Sequence, residues 1–434
     1  MAATAVHAPS GLPRLITDAT GTESLQAHTR RLGAMPEISA GRRHTTDLIE
    51  VVDRSGLRGR GGSGFPTATK MRAVANGRGR RVVVANGSEG EPASRKDAFL
   101  LTTRPHLVLD GASLAARAVG ASDVIIAVDR SNDHARATVD HAIAERYAAR
   151  VDPVRIRVVD VPSRYVAGEE SALVHLINGG DAKPTFVPPR PFERGVQGRA
   201  TLIQNVETLA HLALIARFGS EWFREVGTPA EPGSAMVTLG GAVVRPGVYE
   251  IAIGTSIRDV VAAAGGESGD VAAFLTGGYF GTWIPAPVAW DLSLGHLELR
   301  RAGAAFGCGV LYALPTGACG LAETARVARY LADESAGQCG PCVHGLSAIV
   351  GALDSVVEGR QVEHMTGLIR RWTSQIAGRG ACHLPDGAIA FVASALDTFS
   401  PDLQRHHSRG SCSSAHRPGL LPLPTAKDRD WGWR

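Results

Sequence analysis

The stretch "ESAGQCGPCVHG", residues 334–345, contains Cys339-Gly-Pro-Cys342, and its reading decides the fold of the last third of the chain. A Cys-x-x-Cys alone fits a redox dithiol, half of a zinc site or part of an iron–sulfur site. Its flanks discriminate. "LAETARVARYLADES" places Leu321, Ala325, Ala328 and Leu331 on one helical face, and "HGLSAIVGALDSVV" does so with Leu346, Ile349, Leu353 and Val356. "EHMTGLIRRWTSQIAG" and "DGAIAFVASALDTF" repeat the pattern through Met365, Leu368, Trp372, Ile376 and through Ile389, Val392, Leu396, Phe399. Four amphipathic helices with short links predict an up-down bundle over 321–400.

In such a bundle the first and third loops share one end, so Cys339 and Cys342 meet Cys382 although 39 residues intervene. A dithiol of the thioredoxin kind would follow a strand; this one follows a helix. Three thiolates at one end suit a metal. Zinc would take His344 or His383 as its fourth ligand, and an iron–sulfur cluster would take the cysteines. The bland alternative is three unrelated buried thiols.

Upstream, the periodicity changes. "RRVVVANG", "DVIIAVD" and "VRIRVVDV" are apolar strand runs, separated by helical stretches at 105–121 and 132–149. Strand–helix alternation predicts parallel βαβ units, hence an α/β domain over 45–235 behind an N-terminal arm, 1–44. "AMVTLGGAVVRPGVYEI" reads as a hairpin turning at Arg245-Pro246-Gly247. "TSIRDVVAAAGG" reads as a short helix with a Thr255 or Ser256 cap and a stop at Gly265. A β-grasp insert over 236–320 follows, and residues 401–434 are predicted to be a disordered tail.

Composition bounds the function. The 434 residues carry a formal charge of +4, and six Lys/Arg against three Asp in 401–434 account for +3 of it, so nucleic acid is not an expected partner. No apolar run reaches the roughly 18–20 residues of a membrane span, and the N-terminus lacks a signal-peptide pattern. Six irregularly spaced cysteines make no disulfide framework. A cytoplasmic chain, at most peripheral to a membrane complex, is expected, with its cysteines holding metal or doing redox work.

"GLRGRGGSGFPTATK", residues 56–70, contains a literal G-x-G-x-x-G at Gly59 to Gly64, but after a helix rather than the strand a dinucleotide fingerprint requires. The physics survives the misfit: glycines let backbone approach a phosphate or ring, Arg58, Arg60 and Lys70 add positive charge, and Phe65 offers a stacking face. Two acidic loops follow strands, "NGSEGEP" (86–92) and "AGEES" (167–171). Carboxylates beside glycine can bond ribose hydroxyls or a nicotinamide amide, though each loop alone reads as a polar turn.

Taken in order, these stretches with "KPTFVPPRP", "QNVETLA" and "GRGACHLPDGA" resemble the flavin-bearing, NADH-oxidising subunit of complex I (the NuoF or 51-kDa family) and its relatives in NAD-linked hydrogenases and formate dehydrogenases. The match spans about residues 50 to 400. The resemblance implies an FMN-binding α/β domain, an SLBB-type β-grasp insert and a four-helix domain with a [4Fe–4S] cluster. NADH would give hydride to FMN, which divides the electron pair for a one-electron cluster. By position, Gly59, Arg60, Gly61, Gly62, Lys70, Asn86, Glu89, Gly168, Glu169, Gln204 and Asn205 would surround FMN. Phe65, Glu91 and Glu170 would face the nucleotide, with Glu170 the catalytic residue, and Cys339, Cys342 and Cys382 would ligate the cluster.

The chain departs from that pattern at defined points. Ala336 stands where the family has its first cluster cysteine, leaving [4Fe–4S] with His344, His383, water or a partner's ligand, or else [3Fe–4S]. Cys319 lies about four helical turns, roughly 25 Å, away. Val343 replaces an arginine beside the cluster. Ala73 and Arg190 replace adenine-stacking aromatics, Val187 a lysine and Ser88 an acidic residue. Arg190 paired with a 2′-phosphate would favour NADPH. The expectation is an FMN- and iron–sulfur-dependent NAD(P)H dehydrogenase subunit that passes electrons to a ferredoxin or a membrane acceptor, in a stand-alone or small complex rather than complex I itself. The alternatives are an electron conduit or assembly subunit that no longer oxidises nicotinamide nucleotide, and a zinc-containing nucleotide-binding protein.

Overall fold

The computed structural model describes residues 4–5, 11–16, 21–37, 42–425 and 432–434. A two-residue strand, β1 (Thr4–Ala5), precedes the α/β domain, whose strands are β2 (Arg81–Gly87), β3 (Ala121–Asp129), β4 (Arg155–Val161) and β5 (Ala200–Asn205). All four are parallel, in the order β4-β3-β2-β5. Both faces are covered, which is why these strands read as continuous apolar runs rather than alternating ones. Val83 and Ala85 face a core shared with the helices Pro105–Val119 and Val206–Arg224. Val82 and Val84 face a smaller core containing Leu173 and Val174 of the helix Glu170–Ile177.

The second sheet is built from β6 (Ser234–Gly241), β7 (Gly247–Ala252), β8 (Val271–Thr276), β9 (Thr282–Pro285) and β10 (Val310–Pro315), in the order β1-β7-β6-β10-β8-β9. The β6–β7 hairpin closes around the Arg-Pro-Gly turn, with Leu239 paired to Gly247. The helix Ile257–Ala263 starts at Ser256, whose Oγ accepts the Asp259 N–H at 3.0 Å; Thr255 instead donates its hydroxyl to the Ala252 carbonyl. This is the β-grasp insert. The expected arm, 1–44, extends into it: β1 pairs parallel with β7. The backbone N–H groups of Arg14, Leu15 and Ile16 all donate to the buried Glu250 carboxylate, at 2.9, 2.8 and 3.1 Å.

The expected helices form the third unit: Gly320–Asp333, Ser347–Val357, Val362–Ile376 and Leu384–Thr398. The tail departs from expectation. Residues 400–409 form a fifth helix on the bundle, a short turn follows at Ser413–His416, and Leu421 is buried. The Glu323 carboxylate accepts the N–H groups of Leu420 and Leu421 at 2.9 and 3.0 Å, and the Tyr312 hydroxyl donates to the Leu420 carbonyl at 2.8 Å. Composition concealed this because the order comes from backbone groups satisfied by buried side chains, not from an apolar stripe. Residues 426–431 of the tail lie outside the described residues.

Candidate functional site

From β2 the chain steps outward through β3 to β4, then returns to place β5 on the other side of β2. That reversal makes the C-terminal ends of β2 and β5 a topological switch point, the crevice where open α/β sheets take ligands. Ala85 pairs with Gln204 and Asn86 with Asn205 there. The Gln204 side chain is buried, and its Nε2 has no hydrogen-bond partner among the described residues. A buried amide left unpaired is costly, so it marks where a polar ligand completes the crevice.

The glycine loop lies over this point. The Gly59 N–H donates to the Phe65 carbonyl at 2.8 Å, closing the turn. Gly64 has φ +62°, and a Cβ there would lie 2.8 Å from the His296 ring. Gly61 approaches Asn205, and Phe65 is half exposed. Lys70, on the helix Thr67–Ala75, pairs its Nζ with the Glu170 carboxylate, joining residues 100 apart in sequence. Asn86 donates to the Gly168 carbonyl at 2.8 Å, and a Cβ on Gly168 would collide with the Ser88 hydroxyl. The glycine loop, the strand ends and the second acidic loop therefore converge.

Several expected ligands are occupied otherwise. Arg60 is buried with its guanidinium turned away from the crevice, donating to the Ser234 carbonyl at 2.9 Å and lying 3.9 Å from Glu207; only its backbone belongs to the loop. Glu89 caps the helix Lys96–Thr103, accepting the N–H groups of Asp97 and Ala98 at 3.0 and 2.8 Å. Glu169 caps the helix Glu170–Ile177 through Ser171 and Ala172. Asn205 caps the helix Val206–Arg224. Glu91 is buried, accepting the Ala93 and Tyr279 N–H groups and the Tyr165 hydroxyl; burial pushes its carboxyl up to about 7 despite these donors.

A buried ionic network beneath the crevice belongs to no motif of the sequence. Lys96 Nζ lies 2.7 Å from Asp97, 3.0 Å from Glu207 and 3.3 Å from Asn205. Burial would lower the Lys96 pKa, but Asp97, Glu207 and Glu89 outweigh it and raise it. Burial would likewise raise Glu207, yet Lys96, His211 and Arg60 hold it at about 2. The one signal is the "RKD" triplet just past the first acidic loop, a charge run in a stretch otherwise bound for the core.

At the bundle, Cys342 sits in a wide helical turn at Pro341–Leu346, while Cys339 precedes it and Cys382 precedes the helix Leu384–Thr398. Burial pushes the Cys342 thiol up to about 12, with further contributions from Cys339 and Cys382, while the nearby Ser335 hydroxyl acts the other way. Burial also raises Cys382, which feels both Cys339 and Glu169. The three thiols thus gather at one end of the bundle, close to the second acidic loop. Among the described residues the triad with ligand atoms within 4.8 Å of one another is instead Cys319, His406 and Cys412, so the three thiols at this end form a wider set. Thiolates spread over several irons suit the wider set. The Ser335 hydroxyl accepts the Gly337 N–H at 3.1 Å in the same loop.

One segment joins crevice and thiols. Arg164 pairs with Glu334 at 3.0 Å, both buried, and the Tyr165 N–H donates to Glu334 at 2.9 Å. A few residues on, Gly168 and Glu170 face the crevice.

Comparison with known proteins agrees with this geometry. Residues 52–214 match the Nuo51 FMN-binding domain, residues 236–278 the SLBB domain, and residues 322–406 the NADH-ubiquinone oxidoreductase-F iron-sulfur binding region. The chain is 30% identical over 390 residues to the NuoF component of NADH-quinone oxidoreductase from Mycobacterium bovis, covering 86% of this chain and 88% of that one. It is 30% identical over 400 residues to its counterpart from Streptomyces coelicolor, covering 89% and 87%. Among solved structures, an NAD+-reducing [NiFe]-hydrogenase in the H2-reduced state superposes with a TM-score of 0.77 at 30% identity, over 84% of this chain. The chain spans 63% of that hydrogenase chain. Among the described residues no helix is long and apolar enough to cross a membrane.

Proposed function

The chain belongs to the NuoF family of NADH-quinone oxidoreductase components, and from that premise we propose that it is the nicotinamide-oxidising flavoprotein of a small cytoplasmic electron-transfer complex, peripheral to any membrane. FMN, when bound, supplies the conversion of a two-electron hydride into single electrons. The observation that carries the reading is the unpartnered Gln204 amide at the switch point, beside the Lys70–Glu170 pair and under a glycine loop. These groups fit a flat polar ring and its phosphate.

In this reading the backbone of Gly59 to Gly62, with Lys70, Asn86, Gln204 and Asn205, holds the flavin. Glu89 and Glu169 act at one remove, fixing the two acidic loops as helix caps. Phe65 and Glu170 face the nicotinamide nucleotide, with Glu170 orienting it from its contact with Lys70. Glu91, buried and bonded to Tyr165 and Tyr279, braces the first acidic loop against the insert. Cys339, Cys342 and Cys382 bind the iron–sulfur cluster, with the Ser335 hydroxyl next to Cys342 and Ala336 offering no ligand. Electrons leave through the bundle to a ferredoxin-like or membrane-bound acceptor.

The test is an anaerobic absorption spectrum of the purified protein before and after NADH, then NADPH. Bleaching of a flavin band by either nucleotide supports the dehydrogenase and names its donor. A second reading, an electron conduit, is favoured by Ala73, Val187 and Arg190 at the positions expected to clamp adenine. A flavin band that responds to dithionite but to neither nucleotide would replace the first reading with the second.

A further inference from the structure

We propose that Cys319, His406 and Cys412 form a zinc site, separate from the iron–sulfur end of the bundle, that fastens the segment after the bundle to the bundle's first helix. The three ligand atoms lie within 4.8 Å of one another, and Cys319 Sγ is 3.7 Å from His406 Nε2. Ligands on one tetrahedral zinc ion, with Zn–S about 2.3 Å and Zn–N about 2.0 Å, stand roughly 3.5 Å apart. The triad therefore needs only a small contraction to close on an ion.

The histidine is prepared for this. His406 is fully buried, and its Nδ1 lies 3.0 Å from the Val356 carbonyl. A carbonyl only accepts, so the ring proton sits on Nδ1 and the Nε2 lone pair points at Cys319. Metal-binding histidines are oriented by this kind of outer hydrogen bond. Cys319 is the N-cap residue of the helix Gly320–Asp333, which places it at the positive end of that helix's dipole, where a thiolate is favoured. Cys412 is half-buried, leaving its side open for a water as fourth ligand.

Two thiols and an imidazole select zinc over the oxygen-loving magnesium and calcium. The iron–sulfur thiols lie past the other end of the same 14-residue helix, about 21 Å away, so the two sets cannot share an ion. Binding Zn²⁺ releases the two thiol protons to solvent while the Nδ1 proton stays on the ring, bonded to Val356. The site would join the start of the first bundle helix, the fifth helix and the segment following it, in a region where sequence alone predicts disorder.

The experiment uses the full-length protein, purified under reducing conditions without chelator, and reads zinc and iron by elemental analysis. One equivalent of zinc is expected in wild type and in Cys339→Ser, and none in Cys412→Ser, whose half-exposed position spares the core. Co²⁺ exchanged for zinc should give a four-coordinate spectrum with thiolate charge-transfer bands, lost in Cys412→Ser and weakened in His406→Gln. A chelator should lower the melting temperature of wild type and leave that of Cys412→Ser unchanged. Zinc absent from wild type and not taken up from added Zn²⁺, zinc retained in Cys412→Ser, iron that disappears with Cys412, or a Cys319–Cys412 disulfide in anaerobically handled protein would each overturn the proposal.

Discussion

Lys70 and Glu170 make an ion pair at the mouth of the crevice, with the Glu170 side chain 43% exposed. Partly exposed pairs contribute under about 1 kcal/mol, so little of the fold's stability rests on this one. Glu170→Gln is expected to slow nucleotide-driven flavin reduction at least about tenfold, a change of ~1.4 kcal/mol in barrier, with the melting temperature nearly unchanged. Stopped-flow reduction at saturating nucleotide reads it; a wild-type rate would remove Glu170 from the reaction. His296, packed under Gly64, is a pH-sensitive support for the glycine loop. Burial, then Arg60 and Arg58, lower its pKa to about 4. A depressed base favours the neutral form in the fold, so its contribution is complete above pH 6.5 and is lost as pH falls through about 4. That group alone is expected to remove at most roughly 3 kcal/mol over the window. Urea titrations at pH 7 and pH 4.5 should show a smaller difference in His296→Phe, which keeps the ring packed near Phe306.

At the scale of elements, the acidic loops owe their shape to helix ends. Glu89 sits at φ +39° and receives two backbone N–H groups of the helix Lys96–Thr103 together with the Ser94 hydroxyl. A helix leaves its first N–H groups unpaired, so these carboxylates hold the loops that line the crevice. Glu89→Ala is expected to cost about 1–2 kcal/mol in stability and to weaken flavin retention, measured by flavin released on gel filtration. Unchanged flavin content would make the cap purely structural. In the loop that carries Cys339 and Cys342, the proposed cluster ligands, Ala336→Cys adds a fourth thiolate. It should raise iron and sulfide per chain and slow their loss in air; no gain would assign the fourth corner to another ligand.

At the scale of the whole molecule, the segment after β4 couples the α/β domain to the bundle through Arg164 and Glu334, each 4% exposed as a side chain. Removing one partner of a buried ion pair typically costs about 3–5 kcal/mol. Glu334→Gln, which keeps an acceptor for Tyr165, should cost less than that range and act mainly on the domain contact. Its expected signature is normal flavin reduction by nucleotide with slower reduction of the cluster, seen by freeze-quench EPR. Equal slowing of both steps would place the effect in the flavin site itself.

The sequence by itself determined the three-part architecture, because apolar periodicity of 3.6 or continuous strand runs needs only local spacing to be read. It also determined that Cys339, Cys342 and Cys382 gather, since loop order in a bundle is topological. Tertiary structure alone decided what the polar groups do. Arg60, Glu89, Glu169 and Asn205 have residue types suited to ligands, yet each meets a backbone group or ion partner supplied by the fold. Lys96, Asp97 and Glu207 have the composition of surface charges, and only burial makes them neutralise one another. Cys319 and Cys412 stand 93 positions apart, with His406 in a helix of mostly polar residues. No local pattern links them; they meet because the tail folds back over the bundle, where Glu323 accepts from its backbone and Tyr312 donates to it.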